Sequence, residues 1–125
     1  RGNMIDFNNA SFVKLKEAPQ FGEKVSQLFV KGEESLGAFK GIRDGVVFTN
    51  KRIIALNVQG LTGKKRDYTS LPYRNIAAYS VETAGTFDLD AELDIWLSGL
   101  GKIRFEFKGK CNIIEISRFI SIHVL

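Results

Sequence analysis

The chain has 125 residues, of which 44% are hydrophobic and 26% are charged, and its formal net charge is +4 at pH 7. This length fits one domain that buries its own core, and the composition argues against a disordered or membrane-spanning chain. The basic residues form no long run, which argues against a nucleic-acid-binding protein.

The first predicted element is a helix at about residues 22–31, which ends near Gly32. Its apolar side chains recur with the spacing of one helix face: Phe21, Val25, Leu28 and Phe29. Upstream, residues 1–20 are predicted to be an N-terminal extension with no more than a short turn around 10–16. The domain itself is predicted to span residues 21–125.

Seven strands in short meanders are predicted after the helix. They lie at 35–43, 46–48, 53–56, 66–71, 76–83, 88–96 and 102–108. Asp44-Gly45 is a turn pair after the first strand. Pro72 ends the fourth strand because proline lacks the backbone donor that a sheet needs.

The strongest alternation of polar and apolar residues lies in the last two strands. One row of the sixth strand is acidic: Asp88, Asp90, Glu92 and Asp94. The seventh strand carries a mainly basic row: Lys102, Arg104, Glu106 and Lys108. Because both apolar rows belong in the core, opposed residues must share parity, and the loop must hold an odd number of residues. This predicts an antiparallel hairpin with loop 97–101, Trp96 opposite Lys102 and Asp94 opposite Arg104.

A helix is predicted at the end of the chain, with Asn112 as its N-cap. Its apolar residues form one broad stripe: Ile113, Ile116, Phe119, Ile120 and Leu125. Seven strands alone leave a barrel mouth and sheet edges open. This helix is placed to cover that opening, which predicts a mainly β fold.

This order of elements, together with three stretches of sequence, resembles the bacterial pleckstrin-homology-like family, formerly a bacterial domain of unknown function. The stretches are 46–54, with the pattern V-x-T-N-x-R, and 59–65 and 79–93. The resemblance implies a seven-stranded, partly open barrel of two antiparallel sheets, capped by a C-terminal α-helix, with a short N-terminal helical segment. It also implies homo-oligomeric rings, with the pentamer as the expected size, and no known enzymatic activity and no cofactor.

Eukaryotic relatives that bind phosphoinositides use basic residues in the loop between the first two strands. Here that loop is Arg43-Asp44-Gly45, with an acid at its centre. The departure argues against recognition of inositol phosphates.

No catalytic or metal-binding set of residues is predicted. His123 is the only histidine and has no second imidazole or nucleophile beside it, so a helix-end position is favoured. Cys111 is the only cysteine, and a packed side chain is favoured over a thiol activated by the helix N-terminus. The acidic row lies along a straight strand, which cannot wrap around calcium. A solvated or interfacial face, paired with the basic row, is the favoured interpretation.

Two basic clusters lie at predicted hairpin tips: Lys51 and Arg52 in one, and Lys64, Lys65 and Arg66 in the other. If both tips point to the same end of the barrel, they form a patch for an anionic ligand or membrane surface. Ordinary solubilising charge is the alternative. Trp96 falls on the acidic face by strict alternation, where it is a candidate contact between protomers together with the acidic row. The alternative is a bulge that turns Trp96 inward.

Two hypotheses for function follow. The first is a non-enzymatic, homo-oligomeric interaction or scaffold module whose partner is another copy of itself or an unknown protein. The second is a peripheral binder of anionic lipid or another anionic ligand through the basic hairpin tips. A single cysteine and the lack of a signal-peptide pattern favour a cytoplasmic location for either.

Overall fold

A computed structural model of the chain describes residues 5–7, 10–59, 63–85 and 89–125. Within these ranges, eight strands and two α-helices follow one another: β1 (Ala10–Glu17), α1 (Pro19–Val25), β2 (Ser35–Lys40), β3 (Gly45–Thr49), β4 (Arg52–Gln59), β5 (Lys65–Pro72), β6 (Ile76–Thr83), β7 (Ala91–Leu97), β8 (Gly101–Phe107) and α2 (Ile113–Val124). Short 3-10 turns lie at Ser26–Leu28 and Tyr73–Asn75. None of the helices in the described ranges is long and apolar enough to cross a lipid bilayer.

The strands form one curled sheet in the order β5-β4-β3-β2-β1-β8-β7-β6. Strands β2 to β5 make one antiparallel half and β6 to β8 make the other. Strand β1 joins the halves, because it runs antiparallel to β2 and parallel to β8. The predicted fold class is confirmed: two antiparallel halves form a partly open barrel, and a C-terminal helix packs against it.

The short turn predicted around residues 10–16 is wrong, because this segment is strand β1. Its buried residues Phe12 and Leu15 are three positions apart, and the pairing with β8 shifts register between them. Lys14 lies inside this irregularity with a φ of 54°. The bulge breaks the period of two by which a strand is recognised in a sequence. The described residues therefore contain eight strands, one more than the seven predicted.

The predicted helix at 22–31 begins earlier and ends earlier than expected. Helix α1 starts at Pro19, whose missing N–H costs nothing in a first turn, and it gives way to the 3-10 turn after Val25. Leu28, counted on its apolar face, is half-exposed. Strand ends also differ by a few residues, and Asp88 of the predicted sixth strand lies outside the described residues.

Two apolar clusters pack on the two faces of the β2–β4 region. The larger fills the space inside the curled sheet and beneath α2, and the smaller lies under α1. All five residues of β3 are therefore buried, which explains the unbroken apolar run Val46-Val47-Phe48. Helix α1 approaches so closely that a Cβ on Gly45 would lie 2.7 Å from the ring of Phe21.

Helix α2 is capped as predicted, since the Asn112 side-chain oxygen accepts a hydrogen bond of 3.3 Å from the Glu115 N–H. Ile113, Ile116 and Ile120 are its buried residues. Leu125, placed on the apolar stripe by the sequence, is 94% exposed. The buried face of α2 is thus narrower than its apolar composition predicts.

Candidate functional site

The hairpin of β7 and β8 has the predicted register. Trp96 lies opposite Lys102, Asp94 opposite Arg104 and Leu97 opposite Gly101. Leu93, Ile95, Ile103 and Phe105 are completely buried on the inner face. The parity argument is confirmed, and the charged residues form the outer face of this half of the sheet.

The acidic and basic rows of this outer face form salt bridges with each other, although Glu106 lies opposite Glu92. Arg104 contacts Asp94 at 2.8 Å and Glu92 at 3.4 Å, and Lys102 lies 3.7 Å from Asp94. The hydrogen bond from Arg104 holds the pKa of Asp94 below its usual range despite partial burial, and Asp94 in turn raises the pKa of Arg104. The acidic row is therefore paired with the basic row, as predicted.

Asp90 completes the ladder at its far end. Its carboxylate lies 3.6 Å from the Lys108 ammonium and accepts a hydrogen bond from the Gly109 N–H, which lowers the pKa of Asp90. Among the described residues, no three His, Cys, Asp or Glu side chains are grouped so that they could hold a metal ion. Asp88 belongs to the predicted row but lies outside the described residues.

Trp96 stays on the charged face, so the alternative of an inward bulge is wrong. Its side chain is 39% exposed, and the Lys102 ammonium lies 5.4 Å from the ring centroid. A lysine over an indole ring at this distance is a cation–π contact. Trp96 is thus a large, partly covered aromatic residue on an otherwise charged surface.

The two basic clusters do not form one patch. Arg52 pairs with Pro72 at one end of β4, and Gln59 pairs with Lys65 at the other end. Seven residue-to-residue steps along the extended strand separate the tips by roughly 23 Å. The condition on which the combined patch depends is not met. Lys64, Lys65 and Arg66 remain grouped at one tip, exposed and without a salt bridge inside the described ranges.

Arg52 is engaged by its own chain. Its Nε and Nη2 donate to the two carboxylate oxygens of Glu33 at 2.9 and 3.0 Å. Nη2 also donates to the Leu28 carbonyl at 2.8 Å, and Nη1 donates to Ser70 Oγ at 2.9 Å. With this many of its donors occupied, Arg52 holds the fold together and is a poor candidate for an anion-binding residue.

The rest of the T-N-x-R motif surrounds the same ion pair. Thr49 Oγ1 lies 2.7 Å from the Glu33 carboxylate and accepts the N–H groups of Lys51 and Arg52 at 3.0 and 2.9 Å. Asn50 accepts from the Glu34 N–H at 2.8 Å and donates to the Gly32 carbonyl at 3.0 Å. The motif therefore ties the segment before β2 to the β3–β4 turn.

Glu33 is the buried centre of this network, and its side chain is completely covered. Burial alone raises the pKa of a carboxyl, but hydrogen bonds from Arg52, Thr49 and the Val30 N–H outweigh burial and lower the pKa of Glu33 to about 2. Burial and the Glu33 charge raise the pKa of Tyr73, whose hydroxyl donates to the Thr49 carbonyl at 2.7 Å. Glu33 was missed from the sequence, although the arginine of the motif signals the need for an acidic partner.

A cleft of about 770 Å³ opens between α1, the beginning of β2 and α2. Its apolar lining includes the aromatic side chains Phe29, Phe39, Phe48 and Phe119. Two more apolar side chains at this cleft are exposed, Leu36 at 49% and Ile122 at 76%. We call this feature the α1–α2 groove.

The α1–α2 groove exists because β1 leaves β2 early. The two strands pair only at Lys16–Lys40 and Glu17–Phe39, and the Ala18 N–H then donates to the Ala38 carbonyl at 2.8 Å. In the part of the chain that the structure describes, the first residues of β2, from Ser35 to Gly37, have β3 alone as a strand neighbour. The groove was not predicted, because it depends on the course of a strand that the sequence pattern hides.

Comparisons with known proteins agree with this architecture. The family model described as "Bacterial PH domain" matches residues 5–124. Two uncharacterized proteins of Bacillus subtilis are similar: YjqA is 45% identical over 101 residues, 79% of this chain and 81% of YjqA. YozO is 29% identical over 102 residues, 82% of this chain and 88% of YozO.

Two solved structures are also similar. One is a DUF1696 family protein with a pleckstrin-homology domain from Shewanella loihica, with a TM-score of 0.73 and 38% identity, covering 90% of this chain and 98% of that one. The other is a pleckstrin homology domain from Shewanella amazonensis, with a TM-score of 0.60 and 36% identity, covering 100% of this chain and 93% of that one.

Proposed function

The chain belongs to the bacterial PH domain family, and we propose that it is a non-enzymatic scaffold that assembles with copies of itself. The assembly is a cytoplasmic ring, and five copies are the size that the family resemblance implies. Its function is to hold protein surfaces at fixed spacing rather than to transform a substrate.

The α1–α2 groove is the observation that carries this proposal. Large apolar side chains border it at a high degree of exposure, Leu36 and Ile122 above all. Contiguous exposed apolar surface on a small protein marks a site of interaction. An exposed apolar surface of this kind favours binding to a protein over an enzymatic function.

The most strongly perturbed ionisable groups support the same reading. Glu33 and Tyr73 share one hydrogen-bond network, and Asp94 and Arg104 share another. Perturbed pKa values also arise in structural ion-pair networks, and these two networks join strands and turns of the fold. The structural role of the two networks therefore accounts for the perturbed pKa values.

Light scattering after size-exclusion chromatography tests the scaffold. The chain mass is 14.0 kDa, and a ring has a mass several times larger at micromolar concentration. A single species of 14.0 kDa at that concentration would contradict the proposal.

A second candidate function is binding to an anionic surface through Lys64, Lys65 and Arg66, with Lys51 at the opposite end of β4 as a separate contact. The exposed triplet without salt bridges favours it. Arg52 is not part of this site because it is bound to Glu33.

Co-sedimentation with vesicles that contain phosphatidylserine tests this candidate. Binding should weaken as added salt shortens the Debye length to about 8 Å, and alanine at all three triplet positions should weaken it strongly, leaving at most the contact of Lys51. Equal sedimentation with neutral and anionic vesicles contradicts this function.

A further inference from the structure

An exposed apolar tip lies at the turn between β2 and β3. Ile42 is 90% exposed there. The turn is held by hydrogen bonds from the Gly41 N–H to the Asp44 carbonyl at 2.8 Å and from the Val58 N–H to the Asp44 carboxylate at 3.0 Å. A Cβ on Gly41 would lie 2.8 Å from the Val13 carbonyl, so the turn also packs on the bulge of β1. Ile42 thus projects from a turn that is held by hydrogen bonds on both sides.

Lysines surround this tip. Lys40 immediately precedes the turn, and Lys16 is directly opposite Lys40 in the β1–β2 pairing. Like charges in directly opposed positions are unfavourable unless something neutralises them. Lys16 has no salt bridge within the described ranges. Lys14, in the bulge next to the turn, borders the acidic residues of β6 to β8 instead. We call Ile42, Lys16 and Lys40 the basic knob.

The α1–α2 groove has the complementary character. Its lining is largely apolar, and its charged side chains are three acids, Glu17, Glu23 and Glu115, with one base, Arg118. None of the three acids forms a salt bridge in the described part of the chain. The groove is therefore suited to an apolar side chain that arrives with positive charges beside it.

We propose that Ile42 of one copy enters the α1–α2 groove of the next copy, with Lys16 and Lys40 facing Glu23 and Glu115. This inference rests on the proposed assembly and names the surfaces that build it. Knob and groove are different surfaces, so the contact is head-to-tail. Each copy offers one of each, and repetition closes a ring or extends a filament.

A second copy is the favoured occupant because both complementary surfaces lie on this chain. The knob lies at the turn that follows Lys40, whereas the groove borders β2 from Ser35 to Phe39. The two surfaces have no residue in common, so neighbouring copies can join without competing for one surface. A basic, apolar segment of another protein has the same chemistry, and the experiment separates the two occupants.

Two surface variants test the contact. Ile42→Asp removes the knob and keeps the groove, and Ile122→Asp damages the groove and keeps the knob. Both side chains are exposed, at 90% and 76%, so the core stays intact. Each variant alone should have a mass of 14.0 kDa by light scattering. An equimolar mixture should contain dimers of twice that mass, because each variant supplies the half that the other lacks.

Matched controls use exposed apolar residues outside both surfaces. Ile114→Asp on α2 and Leu100→Asp in the β7–β8 loop should leave the oligomer unchanged, since neither side chain lines the groove or the knob. Circular dichroism confirms that every variant is folded.

The outcomes distinguish the inference from the proposed function. A monomeric wild-type chain overturns both. A wild-type oligomer that persists in Ile42→Asp overturns the knob and leaves the scaffold standing. Monomeric variants that do not combine when mixed also overturn the contact. An Ile122→Asp variant that stays oligomeric shows that the groove is free for a different occupant, and this too overturns the inference.

Discussion

Arg52 and Glu33 form a two-point ion pair across nineteen residues of sequence, with N–O distances of 2.9 and 3.0 Å. The Glu33 side chain is completely covered, whereas Arg52 is partly exposed. Because the pair joins the segment before β2 to the β3–β4 turn, the arginine of the T-N-x-R motif has a structural role. The stability of the fold should therefore depend on this ion pair.

Arg52→Ala should destabilise the protein by about 3 kcal/mol, since it leaves a buried carboxylate without its cation. Urea unfolding measures the change. Arg66→Ala is the control, because Arg66 is exposed and forms no salt bridge among the described residues, and it should change stability by less than about 0.5 kcal/mol. Equal losses for the two variants would contradict the structural role of Arg52.

Stability should fall in acid because of Glu33. The pKa of Glu33 is about 2 in the folded protein and 4.5 in its ordinary range, so the unfolded chain binds the proton more tightly. Charged Glu33 therefore contributes its full stabilisation at pH values above its ordinary pKa. This contribution, up to about 3 kcal/mol, is lost as the pH falls towards 2. The measurement is the free energy of unfolding from about pH 5 to about pH 3.

Glu33→Gln is the matched variant for this pH dependence. It keeps the shape of the side chain but cannot titrate, so its stability should vary less steeply with pH. Asp90 and Asp94, whose pKa values are also lowered, remain in both proteins and cancel in the comparison. Parallel pH profiles would show that Glu33 does not contribute.

Substitutions on the two faces of the β7–β8 hairpin should differ in how much they destabilise the protein. Arg104→Ala removes partly exposed cross-strand pairs and should cost little, because surface ion pairs contribute little to stability. Phe105→Ala, on the completely buried face, should cost about 3–5 kcal/mol. Chemical denaturation compares them, and a larger loss for Arg104→Ala would reverse the assignment of the dry face.

Strand β1 should be essential although the sequence pattern does not reveal it. Leu15→Ala should cost about 2–5 kcal/mol because Leu15 is buried, whereas Val13→Ala, two residues away and half-exposed, should cost less than about 0.5 kcal/mol. Thermal or urea unfolding measures both. Removal of residues 1–20 should prevent folding, since β1 joins the two halves of the sheet. A stable, folded 21–125 fragment would contradict this.

The sequence predicts a strand and its register where polar and apolar residues alternate without a break. In β7 and β8, alternation continues without interruption, so parity alone gave the pairing of Asp94 with Arg104. In β1, the bulge at Lys14 places Phe12 and Leu15 on the buried face three residues apart. No period of two survives there, and the strand was missed.

The candidate site was less predictable because it depends on how distant elements meet. The α1–α2 groove requires the early departure of β1 from β2, which no local pattern records. The separation of the two basic tips, in contrast, was open to prediction. Successive turns of an antiparallel meander lie at opposite ends of the strands, so Lys51 and Lys65 could not share an end.

The parallel pairing of β1 with β8 has a consequence for biosynthesis. Ala10 pairs with Ile103, so β1 cannot complete its pairing until β8 has left the ribosome. The paired residues are far apart in sequence, so closure of the domain must follow the synthesis of β8. Until then, the nascent chain exposes the apolar face of β1 and the edge of β2. During this interval, chaperones that bind apolar segments can bind to these surfaces.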